Sequence, residues 1–462
     1  EDRRGLPRLK PRRLDRGRPH RPVPASLSMQ PSKHNILSQV AGSDSWLLVN
    51  LLSGQADLLD PLTATRFLRG EYAPELAAKG YLVDPAEEAT RYAAAKAKFA
   101  ADQKDDEVQL FFVPSYACNF GCSYCFQDEY APQQTHDPDA VIDAFFSYVD
   151  DTFAGRKKYV TLFGGEPLLD TPKNRKVVQK LLDGTKARGL DLAIVTNGYS
   201  LASYVPLLQT GRLREVQVTL DGSRAMHDKR RSLKGGGKTF DPVVAGIDAA
   251  LDAGLTVNLR AVLDKENLAD FGNLAHFAIE KGWTERPNFK TQVGRNYELH
   301  HCQTNNTRLY TRLSLWEDMY QLIERDPEIL RFYRPAYSIS RFLFDEGRLP
   351  DPLFDSCPAT KTEWAFDATG AIYPCTANVG KAGEELGTFY PARSLQQAVV
   401  DDWSGRDVTS IAACSSCSQQ LACGGGCGAV SKSWKGTIRG SDCRPVKELL
   451  GLGTALYGQR EL

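Results

Sequence analysis

The chain holds 462 residues with 57 Lys and Arg against 57 Asp and Glu, for a formal net charge of +0. That length is enough for two or three packed domains, and the balanced charge gives no support to a nucleic-acid or membrane partner. No apolar run approaches the roughly 20 residues needed to span a bilayer, and the eleven cysteines, odd in number and clustered, argue against a disulfide scaffold and fit a reducing, cytoplasmic setting.

Residues 1–28 are rich in Arg and Pro and poor in apolar side chains. They are expected to stay disordered as a basic extension, with Met29 standing where folded sequence begins. From there "SWLLVNLLSG" reads as a strand entering a turn. "DPLTATRFLRG" reads as a helix opened by Asp60 and Pro61 and closed by Gly70. A second short helix, the strand "GYLVD" and an Ala-rich helix started by Asp84 and Pro85 complete a unit over 29–105. This winged-helix-like unit loosely resembles the peptide-recognition domains of enzymes that modify ribosomally made peptides. Such domains take a leader segment as an added strand on an exposed sheet edge; a packing extension that caps the barrel is the alternative.

From 106 to 300 apolar strands recur at "VQLFFVPSY", "YVTLF", "DLAIVTN", "EVQVTLD", "TVNLRAVL" and "NFKTQV", with helical stretches between nearly all of them. This alternation predicts an α/β fold with a parallel sheet, a partial (β/α)6 TIM-like barrel whose function collects at the C-terminal strand ends. The first strand runs into "YACNFGCSYCFQ", where Cys118, Cys122 and Cys125 sit on one short loop. Three thiolates can hold three corners of a [4Fe-4S] cluster and leave its fourth iron open. A zinc loop, or thiols without a ligand, is the competing reading, although zinc sites usually bring a fourth ligand in a second pair.

The C-x-x-x-C-x-aromatic-C order, with Tyr124 as the aromatic residue, resembles the radical S-adenosylmethionine enzymes. The resemblance implies that Cys118, Cys122 and Cys125 carry the catalytic cluster. The open iron would chelate S-adenosylmethionine, whose reductive cleavage gives a 5′-deoxyadenosyl radical that takes hydrogen from the substrate. It further implies cofactor contacts from Phe126, from Gly164, Gly165, Glu166 and Pro167 in "FGGEPLL", and from Thr196 and Asn197 in "TNG". Locally, the glycines would let backbone approach a ligand, Glu166 would offer a carboxylate to an ammonium group, and Asn197 is equally a turn residue. Asp221 in the "LDG…HD..R" segment is assigned to ribose hydroxyls. His227, Asp228 and Arg231 would order the mouth of the site, with His227 a candidate proton carrier. Arg260, inside the fifth strand, needs a partner for its charge, and the cofactor carboxylate is the one expected.

A helical linker is expected over 301–355, followed by a cysteine-rich region over 356–462. Cys357, Gly370 and Cys375, then Cys414, Cys417, Cys423 and Cys427, then Cys443 resemble the SPASM pattern. Two zinc ribbons are the alternative. The resemblance implies two auxiliary [4Fe-4S] clusters, three clusters in all. Cys414, Cys417, Cys423 and Cys443 would hold the outer one, and Cys357, Cys375 and Cys427 the inner one. Cys302, in "HHCQ", could complete the inner set, be a buried thiol, or leave an open iron.

Together these features point to a maturase of a ribosomally synthesised precursor peptide, reduced by a donor such as flavodoxin or ferredoxin. The expected product is an intramolecular crosslink through carbon, oxygen or sulfur. Sulfatase maturases are the nearest rival; they resemble one another in carrying Asp directly after the second SPASM cysteine, where this chain has Thr376, and threonine cannot act as a base near neutral pH. An iron–sulfur electron carrier or a zinc-stabilised scaffold is the non-enzymatic alternative.

Overall fold

The computed structural model describes residues 29–125, 127, 135–295 and 307–461. The basic extension 1–28, Phe126 and Cys302 lie outside the described residues. The chain opens with β1 (Gln30–Pro31), β2 (Asn35–Gln39), β3 (Trp46–Asn50) and β4 (Gln55–Leu59). The last three form an antiparallel meander in chain order. Only β3 is legible in the sequence, because "NILSQ" and "QADLL" are short and lack apolar alternation. Helix α1 (Pro61–Leu68) starts where Asp60 accepts the amides of Leu62 and Thr63. After α2 (Glu75–Ala78) and β5 (Leu82–Val83), which pairs with β1, helix α3 (Pro85–Asp105) starts where Asp84 accepts from Ala86 and Glu87. Each aspartate satisfies donors that the first helical turn leaves orphaned. The apolar face of this unit, Ile36, Leu47, Val49 and Leu51, shares one buried cluster with Val408, Ile411, Leu421 and Leu450. The unit is therefore seated on the C-terminal region.

The middle of the chain alternates β6 (Val108–Val113), α4 (Pro138–Thr152), β7 (Lys158–Leu162), α5 (Pro172–Ala187), β8 (Leu192–Thr196), α6 (Leu201–Leu208) and β9 (Leu213–Thr219). It continues through α7 (Arg224–Arg230), α8 (Phe240–Asp252), β10 (Val257–Leu263), α9 (Phe271–Glu280) and β11 (Phe289–Arg295). The six strands are parallel neighbours in sequence order, as the alternation predicts. Val108, Leu110 and Phe112 turn one way, into the main core with Phe145 and Val149. Phe111 and Val113 turn the other way, onto Ala365 and Tyr373.

Helices α10 (Arg312–Arg325), α11 (Ile329–Phe332) and α12 (Ser340–Glu346) follow, and then β12 (Glu363–Asp367) pairs in parallel with β6. Strands β13 (Ala371–Tyr373), β14 (Gly387–Thr388) and β15 (Ser394–Leu395) extend the sheet antiparallel, to ten strands. The sheet thus runs across the boundary expected near residue 356, and it covers the row of backbone donors and acceptors that β6 would otherwise expose. Helices α13 (Gln397–Ser404), α14 (Gln420–Cys423), α15 (Gly428–Lys435) and α16 (Val446–Glu461) complete the chain. No described helix is long and apolar enough to cross a membrane.

Candidate active site and cysteine centres

Cys118, Cys122 and Cys125 lie on the loop after β6, all partly buried. The Phe120 amide donates to Cys118 Sγ at 3.4 Å, and Asn197 Nδ2 stands 3.9 Å from the same sulfur. Burial pushes the Cys118 thiol up to about 12, so it becomes a thiolate when a metal displaces its proton. The loop is strapped by residues 230–234. Gly121 donates to the Ser232 carbonyl at 2.9 Å, Ser123 to Arg230 at 3.0 Å, and Lys234 to Asn119 at 2.8 Å. Of that strap, Arg231 is the residue the sequence singles out.

The GGEP segment is tied closely to the backbone before Cys118. A Cβ on Gly165 would stand 2.3 Å from the Ala117 carbonyl oxygen and 2.4 Å from that of Tyr116, and the Gly165 and Glu166 amides donate to Ser115 and Ala117. The close approach that requires glycine is therefore to the strand leading into Cys118. The Glu166 carboxylate accepts from the Thr196 hydroxyl at 2.6 Å, the Leu168 amide at 2.7 Å and the Asn197 amide at 2.5 Å. Burial raises its pKa, against those hydrogen bonds. In this geometry Glu166 ties the second strand's loop to the third's, with Thr196 as part of the same tie. Asn197 reaches on to Asn119 Oδ1 at 2.8 Å.

Asp221 is buried, and both its oxygens are engaged. Oδ1 accepts the Val262 amide at 2.9 Å, while Oδ2 accepts the Tyr124 hydroxyl at 2.5 Å and faces Arg230 Nε at 3.4 Å. Arg231 Nη1 donates to the same Tyr124 hydroxyl at 2.6 Å. Burial opposes the Arg231 charge, but Cys122, Tyr124 and Asp221 outweigh it and hold its pKa above the ordinary value. The aromatic residue of the cysteine motif is thus the hub of a buried network under the loop, and Asp221 is a fixed member of it.

His227 does not suit proton transfer. It is fully buried, its Nδ1 accepts the Asp221 amide at 3.3 Å, and its Nε2 has no partner among the described residues. Burial first, and the nearby Arg231 second, lower its pKa to about 3. The unfolded chain therefore takes up a proton on His227 that the fold refuses. Stability from this group is complete above an unfolded value of about 6.5 and declines as pH falls towards about 3, by at most about 1.4 kcal/mol per pH unit. Urea denaturation of His227→Asn between pH 7 and 4 should show a shallower acid loss than the parent protein.

Arg260 does need a partner. It alternates along β10 with the buried core residues Leu259 and Ala261, so it points to the opposite face of the sheet. Its Nε is buried without a hydrogen bond among the described residues. A Cβ on Gly294 of the neighbouring strand would come within 2.8 Å of the Arg260 guanidinium, so Gly294 makes room for it. An orphaned buried donor at this place in β10 is chemically suited to a carboxylate.

The C-terminal cysteines gather as two groups. Cys357 and Cys427 share a thiol hydrogen bond that holds Cys357 below its ordinary value, and burial pushes Cys375, which feels Cys357, well up. Burial raises Cys414 to about 11, with Cys423, Cys417 and Cys443 adding to the effect. Cys357, Cys375 and Cys427 thus influence one another, as do Cys414, Cys417, Cys423 and Cys443. The ten described cysteines form no disulfide. Among the described residues no three His, Cys, Asp or Glu side chains converge on a single metal ion. Thr376 donates its amide and hydroxyl to Glu363 Oε1 at 2.7 and 2.9 Å, a pairing that sequence spacing could not reveal.

Residues 112–278 match the model of the Radical SAM superfamily. Among curated relatives, GTP 3′,8-cyclase of Campylobacter fetus subsp. fetus (strain 82-40) is 33% identical over 172 residues, covering 36% of this chain and 50% of the relative. GTP 3′,8-cyclase of Ectopseudomonas mendocina (strain ymp) is 30% identical over 201 residues, covering 41% and 57%. The chain spans about half the length of the curated relatives it matches. Among solved structures, native anSMEcpe with bound AdoMet and Cp18Cys peptide is similar with a TM-score of 0.56 at 16% identity, over 77% of this chain and 99% of that one. Streptococcus suis SuiB bound to precursor peptide SuiA is similar with a TM-score of 0.54 at 17% identity, over 90% of this chain and 99% of that one. At these identities the likeness shows a shared fold.

Proposed function

We propose that this chain is a radical S-adenosylmethionine maturase that crosslinks a ribosomally synthesised precursor peptide, with three [4Fe-4S] clusters and a reducing donor such as flavodoxin or ferredoxin. The observation that carries it is the seat of the N-terminal unit. Among the described residues β4 pairs only with β3, leaving its outer side open to an added strand. The exposed Leu58 and Leu62 stand at that strand and the helix after it. The same unit shares its core with Cys414 and Cys423 of the outer group.

When bound, S-adenosylmethionine and a cluster on the first loop would supply the radical chemistry that takes one hydrogen atom from the peptide. Cys118, Cys122 and Cys125 hold that cluster, Arg260 takes the cofactor carboxylate, and the Gly164 to Pro167 segment with Thr196 and Asn197 keeps the loops around it in register. Closing the new bond would release one proton and one electron, and clusters held by Cys414, Cys417, Cys423 and Cys443 and by Cys357, Cys375 and Cys427 would be the acceptors of that electron. SuiB and anSMEcpe, whose structures hold peptides, lend support through fold alone. The formylglycine reading keeps one observation in its favour: Glu363 places a carboxylate one hydrogen bond from Thr376.

Anaerobic co-expression with short reading frames from the same locus, read by peptide mass, tests the proposal. Loss of two hydrogens is expected, whereas conversion of GTP in the parallel arm with no change in any peptide would overturn it. Arg260→Leu should weaken S-adenosylmethionine binding about tenfold or more, the loss of a charge-assisted hydrogen bond, as titration calorimetry on the reconstituted protein would show.

A further inference from the structure

Two cations and one carboxylate are buried together between the C-terminal cysteine groups. The Arg406 side chain is 0% exposed, that of Asp355 is 1% and that of Lys361 is 6%. Arg406 Nη1 donates to Asp355 Oδ1 at 2.9 Å, while Lys361 Nζ stands 2.6 Å from Asp355 Oδ2. One carboxylate cannot neutralise two cations, and an uncompensated buried charge is costly unless other anions face it.

The cysteine loops supply what Arg406 lacks. Its Nη2 donates to the Gly425 carbonyl at 2.9 Å, between Cys423 of the outer set and Cys427 of the inner. Its Nε donates to the Ile438 carbonyl at 2.6 Å, on the segment leading to Cys443. Through Asp355, which accepts the Cys357 amide at 3.1 Å, it reaches the inner set. An added Cβ on Gly428 would stand 3.3 Å from both Arg406 Cδ and Cys357 Sγ, so the arginine stem lies beside an inner-set sulfur.

We infer that Arg406 is a positioning residue for both C-terminal centres: its guanidinium holds their loops together and makes an iron–sulfur cluster on either side easier to reduce. This rests on the cluster reading given above. Each cluster gains one negative charge when it accepts one electron, and a fixed positive charge in a dry site stabilises that reduced form. Arginine suits the place because it stays charged when buried and its fork reaches several acceptors at once.

The test uses the full chain, reconstituted anaerobically with iron and sulfide, with labile iron counted and the clusters titrated potentiometrically under electron paramagnetic resonance. Arg406→Gln should keep its iron and lower the potential of the C-terminal clusters by at least a tenfold change in equilibrium constant, about 59 mV for a one-electron couple. The cluster on Cys118, Cys122 and Cys125 should not move, and Arg406→Lys should stay near the parent. An unshifted Arg406→Gln with full iron, or equal shifts in the glutamine and lysine variants, overturns the inference. If Arg406→Gln does not assemble, Lys361→Gln removes charge from the same network while leaving Arg406 on its loops; a downward shift then supports the inference and no shift overturns it. Parent protein with iron only at the first loop sinks the cluster reading, and this inference with it.

Discussion

Replacing Cys122 by alanine should abolish reductive cleavage of S-adenosylmethionine and lower the iron content by about four per chain from about twelve. The argument is one of coordination. The loop offers three sulfurs, and two thiolates cannot retain a cube whose fourth corner must stay available to the cofactor. The C-terminal groups draw on other cysteines, so their iron should remain. Iron analysis and chromatography for 5′-deoxyadenosine, both under anoxic conditions, check the two halves separately. Retained cleavage would show that the loop is not the radical centre, and zinc in place of iron would return it to the structural reading.

Gly165→Val should be nearly as damaging without touching any sulfur. The atoms an added Cβ would strike, the Tyr116 and Ala117 carbonyl oxygens at 2.4 and 2.3 Å, belong to backbone that cannot swing aside. Relief has to come from moving the strand that leads into Cys118 or from breaking the ties that Glu166 makes to Thr196 and Asn197. Overpacking of this kind costs about 1–3 kcal/mol, and more where backbone is forced to shift. Urea denaturation of the metal-free protein should show that loss, and reconstitution should leave the first loop short of iron while the C-terminal iron persists. Gly155→Ala, whose Cβ would meet nothing within 4 Å, is the comparison without collision: any loss there comes from its positive φ, a strain Gly165 does not carry.

The parallel strands were legible because β6, β7 and β8 are dense in Val, Ile, Leu and Phe, while β9, β10 and β11 set apolar residues between polar ones, with turn residues between the strands. The cysteine groups were legible because ligand spacing along a loop is local. What escaped is what long-range contact decides. Glu166 reads as a ligand for an ammonium group, and its ties to Thr196 and Asn197, 30 and 31 residues away, are visible only in the fold. Asp221 likewise meets Tyr124 across 97 residues. His227 looks like a proton carrier until burial sets its pKa. Arg406 is one basic residue among 57 in the sequence, and only the fold shows it sealed between two sulfur groups.

The parallel pairing of β12 with β6 bears on how a large substrate gains entry. Residues Glu363 to Asp367 match Gln109 to Val113 in five consecutive pairs, so the catalytic loop and the cysteine-rich region ride on adjacent rails of one ladder. Swinging one from the other like a clamshell would mean unzipping that ladder. Under the proposed function a peptide would therefore approach without opening that ladder, and the two cysteine regions would keep a fixed separation; the sheet's opposite margin is β11, bordered by β10 on one side alone among the described strands.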